Sequence, residues 1–420
     1  MPGSGSWSGS WSGSGSGHRA LVRQGQRVLV RRRPTPRPAP GEIRIATQIA
    51  GVCGTDLQML RGLRDDPSPV LGHEGVALVS AVGMGVGDEF APGTPVVVNP
   101  THPTDPSFLL GHNVDGLWQE QTLIPAHAVR DGQVIPLPQA PESELAALLE
   151  PLAVVRYALA TLAAFRPRTL LVYGDGTVGH LAVRAARHWL GAEVRTVLVH
   201  HTGQGLEWSA ARSARADLLL AQGPDRTRTL RAVSAEGPTA VLLATPRDAT
   251  RACLEEAVTF AGEDTTVDVL GGLPPLATTP LLPGIDLNAV RAANCAGLPD
   301  PARWVHARTG TGGQVRLIGH RGVGNSHLRD AAAELCRAPD RYRDLVTHCV
   351  GIEEAAPLLS RLAQDRNRVF DGRRLVKLAV RLAPDPRPTP TVPSHTARAH
   401  ALPSHTAPSH TTPSHTTTEN

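Results

Sequence analysis

The stretch TLLVYGDGTVGHLAVRAARHWLGA, residues 169–192, carries the clearest structural signal in this sequence. It opens with TLLVY, an apolar run of the length expected for a buried strand. Three glycines follow in a G-x-G-x-x-G spacing, at Gly174, Gly176 and Gly179. Apolar residues then recur at the spacing of one helix face, and they are Val178, Leu181, Ala182, Ala185, Ala186 and Trp189. The stretch therefore predicts a strand, a glycine loop and a helix, which together begin a parallel βαβ unit.

Each glycine of this loop has a physical reason to be there if the loop binds a dinucleotide. Gly174 permits the tight turn, Gly176 lets the backbone approach a pyrophosphate, and Gly179 allows the helix to pack closely on the strand. Thr177 and Val178 begin the helix, whose first N–H groups donate to an anion. These five residues are the predicted binding site for the pyrophosphate of NAD or NADP.

The end of the second strand bears on the choice of cofactor. NAD-binding loops usually have an acid at this point, which accepts a hydrogen bond from the ribose 2′-hydroxyl. Here the strand VRTVLV is followed by His200 and His201, and no acid occurs between Glu193 and Glu207. A site without a carboxylate tolerates a 2′-phosphate better, because like charges repel. We therefore expect NADP slightly before NAD, with both histidines in the cofactor site; the alternative is an exposed strand end without a role.

The rest of the chain divides into regions of different pattern. Residues 18–150 consist of short β-branched runs separated by Gly and Pro, and residues 168–320 alternate short apolar runs with helical ones. The second pattern predicts a parallel sheet covered by helices. Residues 323–382 carry two helical stretches and end in a strand-like run. The protein is thus predicted to be an α/β protein in which a parallel-sheet domain is inserted into, or followed by, a second region.

Both ends of the chain are of low complexity. Residues 1–17 are rich in Gly and Ser, and 384–420 contain four PSHT repeats. Such segments are typical of disordered tails. An alternative for the second is a weak and unselective metal site, formed by the histidines at positions 395, 400, 405, 410 and 415.

The overall composition excludes several classes of protein. With 41% apolar residues the chain has enough to bury a core, and 42 basic against 38 acidic side chains leave a net charge of only +4, which argues against nucleic acid as a partner. No apolar run approaches the roughly 18 residues of a membrane-spanning helix, and no secretory leader is visible. Five widely separated cysteines do not form a disulfide framework. We therefore expect a cytoplasmic protein with reduced thiols and no membrane partner.

Three short motifs contain side chains that bind metals. Cys53 lies in GVCGTD, His73 lies in LGHEG, and Glu150 lies in LLEPLA. Taken singly, each has an ordinary structural explanation, as a buried thiol, a core histidine or a capping carboxylate. Taken together, a thiolate, an imidazole and a carboxylate suit zinc, and three protein ligands with an open fourth position are typical of a catalytic zinc site.

With the Gly-rich segment VGMGVGDEFAPGTPVVV (82–98), EPLA and GDGTVG, these motifs resemble the zinc-dependent medium-chain alcohol and polyol dehydrogenases, in particular the sorbitol and threonine dehydrogenase-like branch. The resemblance implies a GroES-like β-rich catalytic domain, formed by 18–154 and 323–383, and a Rossmann domain formed by 155–322. It also implies an active site between the two domains and a homo-oligomer, either a dimer or a tetramer.

The same resemblance implies a role for individual residues. Cys53, His73 and Glu150 correspond to the ligands of one catalytic zinc ion, and Glu74 corresponds to a carboxylate that lies beside the metal. Asp56 is similar to the acid that orients the ligand histidine.

In such an enzyme the alcohol must lose its O–H proton before hydride can leave, and Thr55 stands where the family places the hydroxyl that relays this proton. The implied function is hydride transfer between a secondary alcohol (a polyol, a sugar-derived alcohol or an amino alcohol), or the matching ketone, and NAD(P).

The sequence departs from the family pattern in three places. The segment 99–120 has no cysteine where the family usually has four, so we expect no structural zinc; His102, Asp105, His112 and Asp115 are the alternative ligands there. Gln58 replaces a histidine that often follows the relay residue in the family. The stretch 272–313 is longer and richer in proline than its counterpart.

Two other functions remain open. One is a zinc-free quinone or enone reductase of the same fold, although such enzymes lack the cysteine and histidine ligands. The other is a non-catalytic, cofactor-binding scaffold protein. The sequence does not identify the substrate, and Trp118 is as compatible with packing as with substrate recognition.

Overall fold

The computed structural model describes residues 17–383. Residues 1–16 of the predicted leader and the whole tail from 384, with its PSHT histidines, lie outside the described residues.

A sheet of seven strands combines residues from both ends of the described chain. Numbered along the whole chain, its strands are β3 (Ile43–Gly51), β4 (Gly75–Val82), β5 (Pro95–Val98), β6 (Gln121–Ile124), β7 (Val134–Pro136), β15 (Val346–Gly351) and β18 (Lys377–Arg381). Their order is β15-β18-β3-β4-β5-β7, with β6 beside β3, and all pairs are antiparallel except β15 with β18. Because β18 pairs with β3, the last segment completes the domain that the first segment begins.

Two hairpins and three helices accompany this sheet. The hairpins are β1 (Gly17–Gln24) with β2 (Arg27–Pro34) and β16 (Val369–Phe370) with β17 (Arg373–Arg374), and the helices are α1 (Gly54–Leu60), α2 (Ala126–Arg130) and α10 (Ile352–Gln364). Apolar residues of α10, such as Leu359, pack in the same buried cluster as Ile43 and Ile45 of β3. The alternating burial of β3 is typical of a strand whose one face covers a core.

The second large sheet is parallel except at one edge. Its strands are β8 (Thr169–Tyr173), β9 (Arg195–Val199), β10 (Leu218–Leu220), β11 (Thr239–Leu243), β12 (Thr265–Asp268), β13 (Trp304–Arg308) and β14 (Gln314–Ile318). They run in the order β10-β9-β8-β11-β12-β14-β13, and only β13 is antiparallel to its neighbour. The predicted Rossmann sheet is thus confirmed. The long stretch 272–313 supplies the edge strand β13.

Seven helices accompany the parallel sheet. They are α3 (Leu149–Ala163), α4 (Thr177–Leu190), α5 (Gly203–Ala210), α6 (Arg226–Ser234), α7 (Thr250–Phe260), α8 (Leu287–Ala292) and α9 (Asn325–Arg337), and four single 3₁₀ turns lie at Asp88–Phe90, Glu144–Leu148, Pro339–Arg341 and Arg343–Leu345. Helix α3 crosses the predicted domain boundary at 154/155, and α9 packs on α3 just after the boundary at 322. Both boundaries remain predictions.

The prediction that no stretch is apolar enough to span a membrane was wrong for one segment. Glu144–Ala163 has 20 residues, and a stretch of 18 within it has a mean hydropathy of 1.6, so its length and composition alone would allow it to span a membrane. However, 83% of that stretch is buried inside the protein. Leu152, Val155 and Leu159 of α3 lie in one core cluster with strand residues of the parallel sheet. A helix that is apolar on most of its surface is typical of a core helix as well as of a membrane span.

The glycine loop joins β8 to α4 in the predicted way. Gly174 has a φ of +109°, a conformation that glycine adopts without strain. A Cβ atom at Gly179 would lie 1.8 Å from the carbonyl oxygen of Gly174, whereas one at Gly176 would have no atom within 4 Å. Gly179 is therefore required by packing, and Gly176 leaves open space in front of the helix N-terminus.

This difference gives a direct test of the loop. Because the methyl group of alanine would collide with backbone, we expect Gly179→Ala to lower the free energy of unfolding by about 2–4 kcal/mol. The matched Gly176→Ala should change it by less than about 0.5 kcal/mol. Urea denaturation followed by circular dichroism measures both variants, and equal losses would contradict this account of the loop.

Candidate functional site

The first part of the site lies where β3 gives way to α1. Cys53 precedes the first residue of α1, and its backbone N–H donates to Asp56 Oδ2 at 2.9 Å. The same carboxylate, which is fully buried, accepts from the backbone N–H of Gly72 through Oδ1 at 3.4 Å. Asp56 thus ties the Cys53 loop to the segment that carries His73.

The second part of the site is the segment LGHEG, which leads into β4. Gly72 has a φ of +92°, and a Cβ atom there would lie 2.2 Å from Cδ1 of Trp118. The Trp118 indole is buried and donates its N–H to the carbonyl oxygen of Gly51 at 3.2 Å. Trp118 is therefore packed against Gly72 in the core, and a glycine before His73 is required both by conformation and by space.

Cys53, His73 and Glu74 come together at this point. Their ligand atoms all lie within 4.8 Å of one another, and they form the one such group with metal-binding potential in the described part of the chain. His73 and Glu74 are buried, and Cys53 is half-buried. Sulfur, nitrogen and oxygen donors in one place suit zinc. The residues present therefore fit the metal that the motifs predict.

Cys53, His73 and Glu74 are called the trio below, and their electrostatics depend on the buried carboxylate of Asp56. Asp56 Oδ1 lies 3.5 Å from His73 Nδ1, which has no hydrogen-bond partner within normal distance. Burial alone would lower the pKa of His73, but the Asp56 carboxylate and the Cys53 thiol raise it well above its ordinary value. Burial, and then the Glu74 carboxylate, raise the pKa of Cys53. The Asp56 carboxylate thus lies beside the ring of His73, and its predicted role in orienting that ring stays a prediction.

Glu74 has a second partner that the sequence analysis missed. Its Oε2 accepts a short hydrogen bond from Lys377 Nζ, and both side chains are buried. Lys377 is the first residue of β18 and the one lysine among the 42 basic residues of the chain. A single lysine in an arginine-rich protein was the available signal for this contact.

Glu150, predicted as the third ligand, lies near the trio but outside it. It belongs to the first turn of α3 and is buried, and the 4.8 Å group does not include it. Burial, and then the nearby Glu74 carboxylate, raise its pKa to about 7. Within residues 17–383 its carboxylate has no hydrogen bond and no ion pair. The structure therefore brings Cys53 and His73 together with Glu74 and leaves Glu150 beside them as an unpaired buried acid.

Thr55 and Gln58 lie in α1 and are half-buried. Thr55 is in the first turn of the helix, two residues after Cys53. Within the described chain its hydroxyl makes no hydrogen bond with the trio. Its predicted role in proton relay stays a prediction.

The predicted cofactor residues of the glycine loop lie at the carboxyl end of β8, and His200 and His201 follow β9. Thr177 Oγ1 donates to the carbonyl oxygen of Val376 at 2.8 Å, which ties the loop to the segment before β18. His200 is buried and shares a hydrogen bond with Ser209 Oγ at 2.8 Å, whereas His201 is exposed and contacts Gln222. The two histidines thus point to different surroundings, and neither contacts the glycine loop by a hydrogen bond.

The four alternative ligands in 99–120 have separate partners. His102 bonds Asp131 at 3.2 Å and His112 bonds Asp66 at 3.1 Å. Asp105 accepts a hydrogen bond from the backbone N–H of Ser107. Asp115 forms an ion pair with Arg33 and accepts a hydrogen bond from the hydroxyl of Ser68. The structure therefore does not gather these four side chains around one point.

Comparison with known proteins agrees with this architecture. The family described as "Alcohol dehydrogenase GroES-like domain" matches residues 39–139. Glucose 1-dehydrogenase of Thermoproteus tenax is 30% identical over 173 residues, which are 37% of this chain and 49% of that protein. Sorbitol dehydrogenase of Halalkalibacterium halodurans is 28% identical over 179 residues, or 40% of this chain and 52% of that protein. The chain thus spans about half the length of the curated relatives it matches.

A solved structure covers more of the chain. A protein of Escherichia coli CFT073 described as a short chain alcohol dehydrogenase (rspB), in complex with the cofactor NADH, aligns with 87% of this chain and 100% of its own at a TM-score of 0.64 and 20% identity. At that identity the likeness concerns the fold, and it includes both large sheets.

The domain match, the dehydrogenase relatives and the shared two-domain fold agree with the motifs at Cys53, His73 and Gly174. Together they support a relationship of this chain to the zinc-type medium-chain dehydrogenases.

Proposed function

We propose that this protein is a zinc-dependent dehydrogenase that transfers hydride between a secondary alcohol and NAD(P). One observation carries the proposal: two consecutive residues bridge the predicted metal and cofactor sites. The carbonyl oxygen of Val376 accepts from Thr177 in the glycine loop, and Lys377 donates to Glu74 in the trio. Both predicted sites are therefore tied to the same short backbone segment, which supports the close approach that hydride transfer between their ligands requires.

The metal would be held by Cys53, His73 and Glu150, with Glu74 beside it. Glu74 lies within the trio, but its negative charge is already balanced by Lys377. Glu150 is buried and has no cation in contact with it in the described chain. A buried carboxylate without a counter-charge costs free energy unless it is protonated or binds a cation. This favours Glu150 as the carboxylate that a divalent ion would recruit.

Zinc bound there would act as a Lewis acid that favours ionisation of an alcohol, as it lowers the pKa of bound water from about 15.7 to about 7. The protein's own residues would prepare that chemistry. Asp56, 3.5 Å from Nδ1 of His73, would orient the ring so that its other nitrogen could bind the metal beside Cys53. Thr55, in the turn that follows Cys53, would pass the alcohol proton outward, and Gln58 in place of a histidine leaves water as the next carrier.

The cofactor would lie with its pyrophosphate at the N-terminus of α4, in front of Gly176. The open space there and the helix N–H groups support this position. The structural neighbour solved with NADH supports a nicotinamide cofactor. The sequence favours NADP slightly over NAD because the residues that follow β9 include no acid before Glu207.

A broad assay tests the function as a whole. We expect oxidation of secondary alcohols among polyols, sugar-derived alcohols and amino alcohols, with reduction of NAD or NADP followed at 340 nm. We expect about one zinc ion per chain in protein purified without chelator. Reduction of quinones or enones by zinc-free protein would support the rival reductase, and cofactor binding without turnover of any alcohol would support the scaffold protein. The dimer or tetramer, the cytoplasmic location and the absence of nucleic-acid and membrane partners remain predictions.

The role of Cys53 can be separated from general damage to the fold. Cys53→Ala should lose zinc and reduce turnover by at least about a thousandfold, because the thiolate ligand is gone, while NAD(P)H still binds. Cys253→Ala is the matched control, since Cys253 is a half-buried thiol on α7. Metal analysis and cofactor fluorescence measure the two effects. Full zinc content in Cys53→Ala would show that the metal assignment is wrong.

The two carboxylates can be distinguished in the same way. We expect Glu150→Gln to lose most of its zinc and to fold normally. Glu74→Gln should keep zinc but lose about 3–5 kcal/mol of stability, because Lys377 then remains buried without its partner. Zinc content and urea denaturation of both variants provide the test. The reverse outcome for zinc would make Glu74 the third ligand.

A further inference from the structure

The second residue of the glycine loop is an aspartate whose carboxylate lies outside the loop. Asp175 Oδ2 accepts from Arg374 Nη2 at 2.8 Å, and the side chains of the pair are only 12% and 14% exposed. A Cβ atom at Gly205 would lie 1.7 Å from the same oxygen. The carboxylate is therefore packed against the first turn of α5.

This position is the carboxyl end of β9, although Asp175 itself follows β8. The two strands are parallel neighbours, with Tyr173 opposite Val199, and α5 starts four residues after Val199. His200, which occupies the strand end in the sequence, is turned inward to Ser209. The strand end is thus not free of negative charge: a residue from the neighbouring loop supplies a carboxylate there.

An acid at the end of the second strand is the group that binds the ribose 2′-hydroxyl of NAD in dinucleotide-binding folds, and an arginine nearby can accept the 2′-phosphate of NADP. Here both residue types are present, but Arg374 Nη2 is already bonded to Asp175. Its Nε is buried and has no partner within 17–383. The 2′-phosphate of NADP would therefore meet the Asp175 carboxylate with Arg374 already engaged by it. The 2′-hydroxyl of NAD could instead donate a hydrogen bond to that carboxylate.

We propose that Asp175 accepts a hydrogen bond from the ribose 2′-hydroxyl and so makes the enzyme prefer NAD(H) to NADP(H). The hairpin β16–β17 acts through Arg374, which positions the carboxylate. This inference rests on the proposed function, because it assumes that a nicotinamide dinucleotide binds at the glycine loop. It reverses the preference expected from the sequence of the strand end alone.

Fluorescence titration of the full chain with NADH and NADPH tests the proposal. We expect the wild-type protein to bind NADH at least about tenfold more tightly than NADPH, because the carboxylate accepts from the 2′-hydroxyl and the arginine that could bind a 2′-phosphate is already paired with it. Asp175→Asn should reduce that ratio by about tenfold, mainly by tighter binding of NADPH. A wild-type protein that binds NADPH more tightly, or a ratio that Asp175→Asn leaves unchanged, would overturn the proposal.

Two further variants keep the result interpretable. Asp248→Asn is the matched control, since Asp248 forms a separate pair with Arg366 at 2.7 Å and should leave the ratio unchanged. Gly205→Ala displaces the Asp175 carboxylate without removing it, so it should shift the ratio in the same direction as Asp175→Asn even if that variant folds poorly. If the wild-type protein binds neither nucleotide, the proposed function fails and this inference with it. If both bind with equal affinity, only this inference fails.

Discussion

A buried ion pair between Glu74 and Lys377 joins two points that lie 303 residues apart along the chain. A carboxylate at this depth would be costly without a cation, because burial disfavours the charged form. The return of the C-terminal segment supplies that cation as the first residue of β18. Since β18 pairs with β3 on one side and β15 on the other, the same contact closes the β-rich sheet. It also brings Val376 to the glycine loop, so the metal trio and the cofactor loop depend on one strand.

The features that could be predicted from the sequence are those specified over short distances. The strand, turn and helix of residues 169–190 follow from an apolar run, three glycines and a helical period. Each of these signals relates residues that are close together in the sequence. The parallel sheet and the GroES-like fold were predicted and are confirmed. Cys53, His73 and Glu74 also meet as a metal-binding group, because Asp56 joins their two loops within twenty residues of chain.

The features that could not be predicted depend on residues distant in sequence. The partner of Glu74 lies in the last strand, and only the pairing of β18 with β3 brings it there. No role was predicted for Asp175, since nothing local shows that its carboxylate reaches the first turn of α5. The apolar character of Glu144–Ala163 was underestimated because its few polar residues interrupt the run in sequence, whereas most of the helix surface is buried. In each case tertiary packing, and not local pattern, decides the outcome.

The three proposed ligands, Cys53, His73 and Glu150, favour protonation states in the protein alone that differ from those in which they would bind a metal. Burial raises the pKa of Cys53 and of Glu150, so both groups favour their neutral forms in the protein alone. His73, beside the Asp56 carboxylate, favours its charged form. These protonation states are the reverse of those that bind a metal, which are the thiolate, the carboxylate and the neutral imidazole. A divalent cation would stabilise the deprotonated form of all three groups at once. The site is therefore arranged so that the charges of its own side chains become compatible with one another when a cation is present.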